Sequence, residues 1–108
     1  MAQLRRAEMH VLVALAAGPL HGYGLVHRIE EESEGQLRIL PGNLYTIIRR
    51  LETGGLVRES RTLPAANEDQ RRRYYELTAK GRRVLLREAR QLETLIQRLR
   101  VIGPRDGE

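Results

Sequence analysis

The side chains of this 108-residue sequence best suited to recognition chemistry fall in two short segments. Asn43, Tyr45, Thr46, Arg49 and Arg50 place an amide, a phenol, a hydroxyl and two guanidinium groups within one stretch. Arg71, Arg72 and Arg73 follow as three consecutive cations. An Asn amide can make paired hydrogen bonds to adenine, and Arg suits guanine edges and phosphates, so both segments point to nucleic-acid chemistry. Neighbouring cations repel one another, and a phosphate backbone or a narrow minor groove would relieve that repulsion. On a strand, Arg71 and Arg73 would share one face with Arg72 opposite. The plainer reading is a solvated polar helix face and a solvated charge run.

Other chemistries find little support. Ser33, Ser60 and the scattered His10, His21 and His27 make no nucleophile or acid–base constellation, so no enzyme is expected. The absence of cysteine excludes disulfides and thiolate metal sites and favours a reducing compartment. No zinc-hydrolase helix motif occurs, and neither metal nor cofactor is expected. No apolar run reaches the length of a membrane span and no signal peptide is visible, so a cytoplasmic protein without membrane contact is the expectation.

Charge placement sharpens the first reading. The formal net charge is +5, from 19 basic and 14 acidic residues, and all but Lys80 of the basic residues are arginine. Residues 41–83 carry ten basic and five acidic residues, whereas 1–40 sum to −1 and 84–108 to +1. The excess therefore lies with the two candidate segments, just after an acidic run of Glu30, Glu31, Glu32 and Glu34. Such asymmetry indicates one basic working face.

Hydrophobic spacing defines the elements that must hold these residues. Leu4, Val11, Leu12, Leu15 and Ala16 predict a first helix over 2–17, ended by Gly18-Pro19. Leu25, Val26 and Ile29 predict a second over 22–34, stopped by Gly35. Pro41 opens a third, whose stripe is Leu44, Ile47, Ile48 and Leu51, and Gly54-Gly55 closes it. The period then changes. Residues 56–61 and 72–77 read as two strands joined by a polar loop. Thr78 caps a last helix over 79–102, about 36 Å long at 1.5 Å per residue.

The expected fold is mainly α with a small β-hairpin: a winged helix-turn-helix over 1–77, a long dimerisation helix over 78–103, and a frayed tail over 104–108. In that arrangement the third helix enters the major groove and the hairpin lies beside it. The last helix carries Leu85, Leu92, Leu95, Ile96 and Leu99 on a stripe wide enough to need a partner. A second copy is expected to supply it, with Met9 and Val13 of the first helix contributing to the dimer interface or to an effector pocket. Twofold symmetry would set two reading helices about one DNA turn apart, roughly 34–36 Å.

The motifs resemble one family. LHGYGLVHRIEEES at 20–33, PGNLYTIIRRLETGGLV at 41–57 and RRYYELTAKGRRVL at 72–85 are similar, in order, to three segments of PadR-type transcriptional regulators. With a single C-terminal helix the chain resembles the short subfamily. The resemblance implies a homodimeric repressor that binds double-stranded DNA at a palindromic operator, with release by a small hydrophobic effector. It places Tyr45 and Arg49 or Arg50 on the DNA-contacting helix, and Arg71, Arg72 and Arg73 on the wing. It makes Tyr23, Tyr74 and Tyr75 mainly structural, and sets His21 at a helix–helix turn.

Departures from the family pattern are informative. Leu40 stands where a capping hydroxyl is usual, leaving about 1 kcal/mol to be supplied otherwise. Asn43 and Thr46 replace the usual Thr and Pro, implying a different base preference. Gly24 costs about 1 kcal/mol relative to Ala inside a helix. The chain has no Trp or Phe, which disfavours an aromatic-sandwich effector site. The alternative function is a winged-helix protein–protein interaction module without specific DNA binding.

Overall fold

The computed structural model describes residues 4–60 and 73–102. Helices α1 (Arg6–Leu15), α2 (Gly22–Glu32) and α3 (Pro41–Thr53) pack together ahead of a small sheet and the long α4 (Ala79–Ile102). The strands are β1 (Leu20–His21), β2 (Val57–Glu59) and β3 (Tyr74–Leu77). They form one antiparallel sheet of order β1-β3-β2, with Leu20 opposite Tyr75 and Val57 opposite Leu77. This is the winged helix-turn-helix with its long final helix.

The sheet has one strand more than the sequence suggests. Leu20-His21 is too short to show a period, and becomes a strand only because β3 lies alongside it. Two helices are also shorter than expected, since α1 closes at Leu15 rather than at 17 and α2 at Glu32 rather than at 34. Ala16, expected on the buried stripe, is the exposed C-cap of α1, and Ala14 is buried instead.

The core joins all four helices. Val11, Leu12 and Ala14 of α1, Leu25 and Ile29 of α2, and Leu44 of α3 are all fully buried. Leu56, Val57 and Tyr75 close it from the sheet side, and Leu85 from α4. Full burial of each Val, Leu or Ile side chain among them stabilises by about 1.5–3 kcal/mol.

Local hydrogen bonds set the helix starts. His21 Nδ1 accepts the Gly24 N–H at 3.0 Å, so the imidazole is the N-cap of α2. Thr78 Oγ1 accepts the Gly81 N–H at 2.9 Å and donates to the Gly55 carbonyl at 2.6 Å, capping α4 and tying it to the end of α3. Lys80 Nζ adds a bond to the Gly54 carbonyl at 3.0 Å. Leu40, as its side chain dictates, gives α3 no side-chain cap, and Pro41 occupies the first turn.

The junction between β2 and α4 depends on Gly81. Its α-carbon lies so close to the Leu56 carbonyl that a Cβ there would overlap the oxygen. At the neighbouring turn Gly55 has φ +77, in the left-handed region that glycine enters without steric cost. The Gly81 approach seats the first turns of α4 against the body. Leu85 is buried, but from Ala89 to Ile102 every residue is exposed.

Candidate nucleic-acid interface

The surface of interest is built on α3. Its buried side, Leu44, Ile48 and Leu51, faces the core, which forces Asn43, Tyr45, Thr46, Arg49 and Arg50 outward. Asn43 and Arg49 are exposed, and Tyr45 is half exposed. Thr46 is exposed too, but its hydroxyl donates to the Gly42 carbonyl at 3.3 Å, leaving its oxygen lone pairs outward as acceptors.

Between α3 and β3 lies a groove of about 350 Å³, lined by Tyr45, Ile48, Arg49, Glu52, Arg73 and Tyr75. Two guanidinium groups and two phenols thus converge from distant parts of the sequence. Arg73 approaches Glu59 of β2 at 3.8 Å, yet its side chain stays 75% exposed. A surface pair of that kind is weak and can exchange for a phosphate. Arg71 and Arg72, predicted with Arg73 on the wing, lie outside the described residues.

Glu52 and Tyr75 were not among the predicted site residues. Burial raises the Tyr75 phenol above the ordinary tyrosine range, with Glu52 and Tyr45 adding to the rise and Arg73 opposing it. On β3 itself, Glu76 is held below the usual carboxylate range, chiefly by hydrogen bonds from Arg58 and Ser60. The Arg58 Nε bond to Glu76 measures 2.8 Å and joins β2 to β3.

Arg49 and Arg50 have different surroundings. Arg49 lines the groove. Arg50 turns toward α1, where Nη1 stands 3.6 Å from Glu8 Oε2. Glu8 was also missed by the sequence reading. The visible clue is its position three residues after Arg5, where a Glu can accept the backbone N–H at the helix start, here at 2.8 Å.

The residues expected at a dimer or effector surface divide. Leu92, Leu95, Ile96 and Leu99 are 46–64% exposed on α4, and Val13 is 43% exposed on α1. Met9 is half-buried and packs against the core. Leu85 departs from the expectation: at 7% exposed it belongs to the core of the single chain. The reason is the Gly81 contact, which presses the first two turns of α4 onto the body and uses that part of the stripe internally.

His21 serves the helix start: besides capping α2, its ring meets Tyr74 edge-on at 5.2 Å. The exposed ring of Tyr23 packs edge-on to His27 at 4.4 Å. Among the described residues no group of three His, Cys, Asp or Glu could hold a metal ion. Among the same residues no helix is long and apolar enough to cross a membrane.

Residues 11–87 match the transcriptional regulator PadR-like family. The chain belongs to that family. The transcriptional regulator Rv3488 of Mycobacterium tuberculosis is 36% identical over 98 residues, covering 88% of this chain and 85% of the relative. An uncharacterized 37.1 kDa protein in transposon TN4556 of Streptomyces fradiae is 43% identical over 93 residues, or 86% of this chain. The match spans only 25% of that longer protein. Bacillus subtilis PadR, solved in complex with operator DNA, shares the fold with a TM-score of 0.64 and 21% identity. That likeness covers 79% of this chain and 48% of the Bacillus chain.

The family match begins at Val11 and ends at Arg87, so it contains α2, α3, the sheet and the first turns of α4. The groove and both capping residues, His21 and Thr78, fall inside it. Glu8 and the exposed Leu92, Leu95 and Leu99 of α4 fall outside.

Proposed function

We propose that this PadR-like regulator is a homodimeric DNA-binding repressor that reads a palindromic operator with α3 and its wing. The observation that carries the reading is the groove between α3 and β3, where Tyr45, Arg49 and Arg73 meet on an exposed surface. Arg49 and Arg73 supply charge-assisted contacts to phosphate, while Asn43 and Thr46 offer base-edge partners beside them. A DNA partner is also in keeping with the Bacillus neighbour of the same fold, which was solved in complex with operator DNA.

The homodimer rests on α4. Leu92, Leu95, Ile96 and Leu99 form an exposed apolar stripe, extended by Leu86 and Ile102. Exposed apolar surface on this scale marks an association face. A twofold pairing of α4 would bury it and set two α3 helices on one side of the duplex. An effector lodged between the two copies would meet aliphatic side chains, so a small hydrophobic molecule is the matching ligand class.

The test is binding of the purified protein to the DNA upstream of its own gene, measured by gel shift across a salt series. Affinity should fall steeply with salt, and Arg73→Ala should weaken all sequences alike. Asn43→Ala should narrow the gap between the preferred and an unrelated sequence. Salt-independent binding, or affinity unmoved by Arg49→Ala and Arg73→Ala together, overturns the reading. A rise in melting temperature with a hydrophobic cation or a phenolic acid would support an effector site.

A further inference from the structure

We propose that Arg50 is a positioning residue, which the buried carboxylate of Glu8 engages to set how α3 sits against α1, and that Arg49 alone of the two carries the phosphate contact. Among the described residues Glu8 is the one buried charged side chain. Its two oxygens are divided between elements: Oε1 accepts the Arg5 backbone N–H at 2.8 Å, and Oε2 faces Arg50 Nη1 at 3.6 Å. The Glu8 side chain is 10% exposed and the Arg50 side chain 46%. A carboxylate that far from water needs a cation, and Arg50 is the cation the structure gives it.

Helix geometry explains why adjacent arginines part ways. Successive residues of an α-helix are turned by about 100°. Arg49 therefore shares its side with Tyr45 and Glu52 and looks into the groove. Arg50 falls on the stripe of Asn43 and Thr46, at the end that meets Glu8 of α1. Removing Glu8 or Arg50 would leave α3 free to roll, displacing Asn43 and Thr46 although neither lost residue touches DNA. Glu8 directly precedes Met9, and Val13 lies exposed one turn further along α1. The pair therefore also joins the reading helix to the helix expected at the dimer face.

The proposal rests on the DNA-binding reading, and two measurements separate the fates of the two ideas. The first needs no DNA: a double-mutant cycle of unfolding stability with Glu8→Gln and Arg50→Met, the latter keeping the aliphatic stem. The two changes should be non-additive, and Arg49→Ala should add independently to either. The second is the salt dependence of binding to a mixed-sequence DNA duplex. Arg49→Ala should lower the log–log slope by about 0.9, the value for one phosphate contact. Glu8→Gln and Arg50→Met should leave the slope unchanged while each lowers affinity for the preferred site. Additivity in the stability cycle overturns the proposal, as does a slope lowered by Arg50→Met as much as by Arg49→Ala. Absence of any salt-dependent binding by the unaltered protein overturns the DNA reading instead, and the stability cycle still decides the role of Arg50.

Discussion

The phenol of Tyr45 rests against the α-carbon of Gly22, so near that a Cβ at Gly22 would lie 2.9 Å from the phenolic oxygen. The start of α2 thereby sets the position of a side chain that lines the groove on α3. Gly22→Ala should push the Tyr45 ring outward, because the group it meets is the free end of a rotatable side chain. Stability is expected to change by less than about 1.5 kcal/mol, while DNA affinity falls. Parallel denaturation and gel-shift measurements separate the two effects, and equal affinity with lower stability would contradict the assignment.

Gly81 is the opposite case, since its neighbour is backbone. A methyl group there meets the Leu56 carbonyl, which is held in the β2–α4 junction by the Thr78 N–H at 3.1 Å. Neither side can rotate away. Gly81→Ala is expected to cost about 3 kcal/mol or more, at the upper end of overpacking penalties. A denaturant midpoint unchanged by the substitution would show that the junction can relax.

His21→Ala removes the cap of α2 and should destabilise by about 1 kcal/mol, plus whatever the edge-on contact with Tyr74 contributes. His21→Asn keeps a side-chain acceptor and should restore most of the cap. If both variants lose the same amount, the ring packing rather than the cap is what matters.

Two groups of the wing give stability a pH signature. Folding raises the Tyr75 pKa above 10.0, so its contribution is full below that value and is lost as pH climbs through the folded-state pKa. Folding lowers the Glu76 pKa below 4.5, so its contribution is present above that value and is lost as pH falls through the folded-state pKa. Tyr75→Phe should remove the alkaline loss and Glu76→Gln the acid one. Unfolding curves across pH test both, and an alkaline loss surviving in Tyr75→Phe would place its origin elsewhere.

The α4 stripe yields the last prediction. Leu95 and Leu99 are 57% and 64% exposed within one protomer, so Leu95→Glu and Leu99→Glu should leave the protomer fold intact. In the proposed homodimer each leucine lost from the α4 face forfeits roughly 2 kcal/mol per copy, and twofold symmetry doubles the effect. Sedimentation should then report a monomer with unchanged helicity. Leu85→Glu, by contrast, should unfold the protomer, because Leu85 is core.

Much of this architecture was legible in the residues alone. Helical periodicity located all four helices, Gly54 marked the end of α3, and Thr78 announced the cap of α4. Asn43, Thr46 and Arg49 could be placed outward because Leu44, Ile48 and Leu51 had to face inward. These are local properties, written in spacings of three and four residues.

What covers each face was decided only by tertiary structure. Leu85 and Leu92 share one stripe in sequence, yet the Gly81–Leu56 approach buries the first and leaves the second exposed. Arg49 and Arg50 are the same residue type side by side, yet only tertiary structure sets the second beside Glu8 and the first in the groove. Leu20-His21 became a strand because β3 offered it backbone partners. The groove likewise brought Glu52 and Tyr75 to Arg49 and Arg73. A sequence period reports which side of an element avoids water, but the partner that shields it is chosen by contacts between residues far apart in the chain.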